Sequence, residues 1–339
     1  MGYSLDRPWR PPPDVGLNLG AGTIFIQPGA YGVSVTPPEG PHHDVILLRY
    51  GELALKSRKV RARFTAKLKD FIIDAFHAYD LDCVIEDDGG HLFIYSSDLP
   101  TATQRLARVF GVVSVSPAAR VELVSMDDLA QEVAAYSKHV LEPGSSFAIR
   151  ARRTGNHKFT SMELAKEAGS AVWKAFSGDL TVNLSDPDGQ VEVEVRGPVA
   201  YIYHQRVPGV GGLPPGSQGK VLVPVRERSD VVAGWLLMRR GCAAVPLVPE
   251  GNEAANGLAG ALLKWDPLLQ VRTLPEADWD WPALYQEMGR SRSMAVVSGV
   301  RGPEVPDLPL DRNRDPVVFF PLVGLDDEAY ARLEKQVMG

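Results

Sequence analysis

Three consecutive units of mixed α and β structure are what this sequence predicts, and two patterns carry the prediction. Between 44 and 120, apolar segments and turn signals run in the order β-α-β-β-α-β, the order of an α+β ferredoxin-like domain. After 220, short β-branched runs alternate with helical periodicities, which implies a mainly parallel sheet covered by helices. A length of 339 residues agrees, because single cores stop growing before that size.

The first unit opens on VILLRYG (45–51), a β-branched run stopped by a glycine. Ser57 is placed to cap a helix whose apolar positions Val60, Phe64, Leu68, Ile72, Ile73 and Phe76 recur at helical spacing. CVIED and HLFIY, joined through Asp88-Gly89-Gly90, read as a hairpin. A helix from about Thr101 to Phe110 and the strand VVSVSPAA close the unit.

The second unit, 121–207, starts with a helix, SMDDLAQEVAAYSKHVL, that Ser125 or Asp127 can cap. SFAIRARR alternates as a strand, SMELAKEAGSAVWKAF is a helix starting at Ser161, and two strands meet near Gly197-Pro198. A glycine-rich connector, 208–220, leads to the third unit, 221–339. There we expect strands at 221–225, 243–248, 294–298 and 317–320, with helices at 230–240, 253–264, 280–289 and 326–337. Residues 1–43, rich in Pro and Gly and ending at His42-His43, read as an extension without a fold of its own.

The composition, 45% hydrophobic and 23% charged, is that of a soluble globular protein. No apolar run approaches the ~20 residues of a membrane span, so no membrane is expected as a partner. Only Cys83 and Cys242 are present, in different segments, and no secretion signal opens the chain; a reduced, cytoplasmic protein fits. The seven histidines show no zinc spacing, no metal site is expected, and no Ser/His/Asp signature is present. Cys242, just before a strand, reads as a small core hydrophobe.

A net charge of −6 speaks against nucleic acid only as an average. Between Arg49 and Lys69 stand eight basic residues and one acid, Glu52. A concentrated patch decides phosphate attraction, so Lys56, Arg58, Lys59, Arg61 and Arg63 are candidate RNA contacts. The alternative is a solvated helix face, but like charges four residues apart repel and would be poor choices for one. A second set is Arg150, Arg152, Arg153 and Lys158; strand alternation puts Arg150 and Arg152 on one face. An edge strand protected by charge would use the same residues.

Three stretches give this order of parts a resemblance. VILLRYGELALKSRKVRARF, RARRTGNHKFTSMELAKEAGSAV and GVGGLPPGSQGKVL are similar to segments of the tRNA 4-thiouridine synthase (tRNA sulfurtransferase) family. VVFFPLVGLDDEAY resembles a stretch near the end of that family's catalytic domain. The resemblance implies a ferredoxin-like domain at 44–120, an α/β THUMP RNA-binding domain at 121–207 and a reduced α/β PP-loop domain at 221–339. It implies binding to the acceptor-stem region of tRNA, a homodimer, and chemistry in which ATP adenylates a uridine before sulfur displaces AMP.

The third unit departs from that pattern. The family's Ser-Gly-Gly-x-Asp-Ser loop holds pyrophosphate with backbone N–H groups, and glycines let the backbone approach. Here Arg226-Glu227-Arg228-Ser229-Asp230 follows the strand, both glycines are gone, and Glu227 sets a carboxylate against any phosphate. The reactive cysteine that the resemblance implies beyond the second strand is also missing. A degenerate loop follows, with no cofactor expected and no catalytic residue assigned. The connector's Gly212, Gly216, Gly219 and Lys220 are the residual candidates for an anion nest. A separate catalytic or sulfur-donor protein would then be a partner. One rival reading is an active sulfurtransferase that uses ATP and Mg through a rebuilt loop. Another is a non-catalytic scaffold whose basic helix docks an acidic protein.

Overall fold

The computed structural model describes residues 40–51, 57–302 and 317–339. Its contacts divide the chain into two compact units. Among the described residues, one contains Pro117–His204 with 40–45; the other contains those of Ile46–Ser116 and Gln205–Gly339.

In the latter, β1 (Val45–Tyr50), α1 (Arg58–Ala78), β2 (Val84–Asp87), β3 (Leu92–Tyr95), α2 (Leu99–Ala107) and β4 (Val112–Glu122) follow one another. The strands lie in the order β2-β3-β1-β4, the spatial order of a ferredoxin-like sheet. Ser57 accepts from Val60 N and starts α1, as its position predicts. Leu68, Ile72 and Phe76 then bury against Ile46, Leu48 and Ile94. Ile73, expected on this stripe, is 48% exposed. One residue beyond Ile72 turns it about 100° around the helix and off the core. The next helix runs earlier than its sequence pattern suggests, because Asp98 caps it and Pro100 fits its first turn. Phe110 lies beyond that helix, packed against Trp235 and Trp265 at centroid distances of 5.7 and 5.9 Å.

β4 is the strand at which the chain passes from one unit to the other. Then come α3 (Met126–Ser137), β5 (Ser146–Thr154), α4 (Ser161–Ala175), β6 (Thr181–Val182), β7 (Gly189–Arg196) and β8 (Val199–Tyr203), with order β4-β8-β7-β5-β6. Ser125, not Asp127, caps α3, accepting from Asp128 N at 3.0 Å. The cap of α4 is Thr160, one residue before the expected start. It forms a reciprocal capping box with Glu163, whose carboxylate accepts from Thr160 N at 2.7 Å. The two helices cover one face of the sheet over Val133, Leu164, Val172, Val191 and Val193. His43, which closes the extension in the sequence reading, is tied into this unit: its ring nitrogen bonds the Tyr136 hydroxyl at 3.0 Å.

The rest comprises β9 (Val207–Pro208), β10 (Lys220–Pro224), α5 (Arg228–Arg239), β11 (Ala243–Pro249), α6 (Glu253–Leu263), β12 (Arg272–Leu274), α7 (Trp281–Ser291), β13 (Ala295–Val297), β14 (Val317–Phe319) and α8 (Asp327–Met338). Strands β12-β11-β10-β13-β14 form one sheet, and every pairing in it is parallel. β12, three residues long, carries too little pattern to be read from sequence. In a sheet of this kind the strand order reverses on either side of β10. The loops after β10 and β13 therefore part and leave a crevice at the carboxyl ends of the strands.

Candidate nucleic-acid interface and nucleotide loop

The basic helix face narrows once side chains are placed. Lys56 lies outside the described residues, and Arg58 is the first residue of α1. Lys59, Arg63 and Lys67 are exposed and recur every four residues, which stacks them in one stripe beside the apolar one. Arg61 is half-buried, and its charge acts on the Tyr50 hydroxyl. Lys69 is engaged by Asp87 at 3.1 Å. Lys67 is absent from the residues proposed on sequence, although the four-residue spacing from Arg63 was available to find it.

The second set divides in the same way. Arg150 donates through Nε to Gln190 at 3.3 Å and through its second guanidinium nitrogen to the Leu184 carbonyl, so it serves the sheet. Arg152 lies across from Glu194 on β7, but Arg196 donates to that carboxylate and neutralises it. Arg152 is thereby left exposed and available. Arg153 donates to Gly155 O at 3.1 Å and draws the Glu163 carboxyl further below its usual range, after the larger pull of the Thr160 hydrogen bonds. Lys158 is exposed beside a stacked pair, His157 and Phe159, whose centroids are 5.6 Å apart. Phe159 itself packs against the core beneath α4.

At the crevice between β10 and β13, the backbone is already occupied. Asp230 Oδ2 accepts from Arg226 N at 3.0 Å and Glu227 N at 3.1 Å, while Oδ1 accepts from Gly299 N at 3.1 Å. Burial pushes the Asp230 pKa up, against the pull of those three donors. Ser229 donates its hydroxyl to Glu227 at 3.0 Å. Arg226 turns to Glu276 at 2.6 Å and lies 4.6 Å over the Trp279 ring. A space of about 960 Å³ remains, lined by Glu227, Arg228, Ser229, Gly299, Arg301 and Tyr330. Arg301 in turn pairs with Asp327 at 2.5 Å and covers the Tyr330 ring at 3.8 Å.

The connector candidates are elsewhere. Lys220 opens β10, and Gly212, Gly216 and Gly219 precede it, so they stand at the amino end of the strand whose carboxyl end carries Arg226–Asp230. The structure does not bring these two groups together. Gly212 and Gly219 have φ of 84° and 87°, and a Cβ on Gly212 would meet the Arg239 carbonyl at 2.2 Å. Gly216, with φ 68°, has open space around it.

Neither thiol is poised for chemistry. Burial pushes the Cys83 thiol up to about 12 and also raises that of Cys242, which sits in the hydrophobic core of the third domain.

With this geometry in hand, comparison with known proteins defines a class. A model described as the ThiI ferredoxin-like domain matches residues 45–116, and a THUMP domain model matches 124–205. The chain is thus a THUMP-domain protein. Relatives named "Probable tRNA sulfurtransferase" include one from Methanothermobacter thermautotrophicus, 42% identical over 209 residues, 60% of this chain and 52% of the relative. One from Methanobrevibacter smithii is 40% identical over 61% of this chain and 54% of its own length. A third, from Aeropyrum pernix, is 33% identical over 283 residues, covering 80% of this chain and 67% of the relative. The chain belongs to the tRNA sulfurtransferase family. It spans about half the length of the first two relatives. Among solved structures, a Pyrococcus horikoshii protein superposes with TM-score 0.75 at 23% identity, over 87% of this chain and 99% of that one. A 4-thiouridine synthetase in complex with RNA and ATP superposes with TM-score 0.72 at 20% identity, over 87% and 85%. Both establish the fold, including the parallel third domain.

Proposed function

We propose that this chain is a tRNA-binding protein of tRNA thiolation that does not use its own nucleotide loop. The observation carrying the second half is the Asp230 carboxylate, which takes up the amides of Arg226, Glu227 and Gly299. A pyrophosphate at this place would need the same donors and would meet a partly buried carboxylate instead. The first half is supported by the THUMP match and by the exposed cations Lys59, Arg63, Lys67, Arg152 and Lys158. These neutralise phosphates and fix position without reading sequence, which suits the acceptor-stem region of tRNA. A homodimer and a separate protein supplying sulfur or catalysis complete the reading, in a cytoplasmic setting.

The test measures both ligands on one purified sample. Filter binding at low salt is expected to retain tRNA, while ATP with Mg is expected to leave the melting temperature unchanged. A true site held at ~100 times its dissociation constant would add about 2.7 kcal/mol of stability. Such a shift would favour the rival reading, an active sulfurtransferase, for which the 960 Å³ crevice with Arg228 and Arg301 provides room.

A further inference from the structure

The stripe on α1 does not end at that helix. Arg63 forms one wall of a cavity of about 710 Å³, and Arg240, at the end of α5, stands on another. A smaller cavity of about 340 Å³ shares Leu237 and Arg240 with it and adds Arg239 and the connector's Gly212. Arg239 and Arg240 are exposed, and among the described residues none of the three arginines has a carboxylate partner. The same groove displays apolar side chains to solvent: Met294 is 62% exposed, Val317 56% and Phe319 42%.

Arg63 lies over the Phe64 ring at 5.3 Å and Arg239 over the Trp235 ring at 5.7 Å, so guanidinium groups without a carboxylate partner stand beside an exposed aromatic and aliphatic floor. An RNA duplex keeps its bases stacked and would offer the arginines phosphate but leave Phe319 unused. A single strand offers both phosphate and the face of a base, and stacking on an aromatic side chain tolerates any sequence. An acidic protein segment would satisfy the charges but would bring no base to stack on Phe319.

We propose that this groove, between α1, the end of α5 and the β13–β14 edge, binds a single-stranded stretch of RNA. Arg63, Arg239 and Arg240 would hold phosphates, and Phe319 would stack on a base. The inference rests on the tRNA-binding reading and extends it to the third domain.

Fluorescence anisotropy of the full chain with tRNA, an unstructured oligouridylate and a blunt RNA duplex tests it. Replacing Arg239→Ala together with Arg240→Ala is expected to lower the salt slope for the oligouridylate by about 1.4, two single-strand phosphate contacts. Phe319→Ala is expected to weaken the oligouridylate at least about fivefold and leave the duplex unchanged. If the arginine variant loses structure, oligouridylate is expected to protect Arg63, Arg239 and Arg240 of the unaltered chain from phenylglyoxal. Wild-type protein that holds tRNA while these variants and this protection show no effect overturns the groove and leaves the proposed function standing. Equal weakening of duplex and oligouridylate by Phe319→Ala overturns the single-strand assignment. Failure of the wild-type chain to bind tRNA at low salt overturns the functional reading itself.

Discussion

The Asp230 carboxylate accepts a hydrogen bond from Gly299 N at 3.1 Å, joining the loop after β10 to the loop after β13. Its other oxygen takes the amides of Arg226 and Glu227, so one side chain fastens both lips of the crevice. Asp230→Ala strands three donors in a partly buried place and is expected to cost about 1–3 kcal/mol. Asp230→Asn keeps one acceptor oxygen and should fall between that variant and the wild type. Gly299→Ala approaches the same joint from the other side, since its Cβ would come within 2.5 Å of Asp230 N. Urea midpoints check all three. A wild-type midpoint for Asp230→Ala would mean that the carboxylate does not hold the loops.

The connector glycines differ in what they do, and substitution separates them. Gly212→Ala combines a left-handed φ with a Cβ 2.2 Å from the Arg239 carbonyl, a backbone atom that cannot swing aside. Gly216→Ala meets only the conformational penalty, about 1 kcal/mol. Thermal melts should therefore place Gly212→Ala well below Gly216→Ala. Equal melting temperatures would remove the close packing of the connector on α5 as a cause.

For RNA affinity, the free cations should count and the engaged ones should not. Arg152→Ala and Lys158→Ala are each expected to reduce the slope of log affinity against log salt by about 1 for duplex contacts. Arg150→Ala should leave the slope unchanged while lowering stability, because its donors serve Gln190 and Leu184. Salt titrations of tRNA binding distinguish the two behaviours, and a slope that responds to Arg150 but not to Arg152 would reverse this assignment.

Local grammar made most of the fold legible. Ser57 and Ser125 announce their helices, Asp88-Gly89-Gly90 announces the hairpin, and alternation after 220 announces the parallel sheet. What escaped depends on partners far along the chain. The spacing of the α1 cations gives a face, yet not that Arg61 is half-buried with its charge acting on the Tyr50 hydroxyl. That residues 226–230 contain no glycine is visible in the sequence, but the self-bound Asp230 requires Gly299 from a distant loop. Arg240 lines one cavity with Arg63 and a smaller one with Arg239, a grouping that no local spacing announces. The connector glycines gave no sign of which end of β10 they occupy, and that end is the one away from Arg226–Asp230.

Asp266 gives the clearest dependence on pH. It is 5% exposed at the end of α6, accepts one hydrogen bond, from Leu268 N at 2.9 Å, and burial pushes its pKa up to about 6. In the unfolded chain the value is 3.8. The folded state therefore binds the proton more tightly, and the stabilising contribution of the protonated form is present below about pH 4. It is lost as pH rises through about 6, a difference of roughly 3 kcal/mol at the value of 1.36 kcal/mol per unit. Asp266→Asn keeps the acceptor for Leu268 and removes the titration. Relative to wild type, this variant should gain stability steadily between pH 4 and 6 and hold a constant advantage above pH 7. Denaturant unfolding at several pH values measures this directly, and parallel curves for the two proteins would show that Asp266 ionises without cost in the fold.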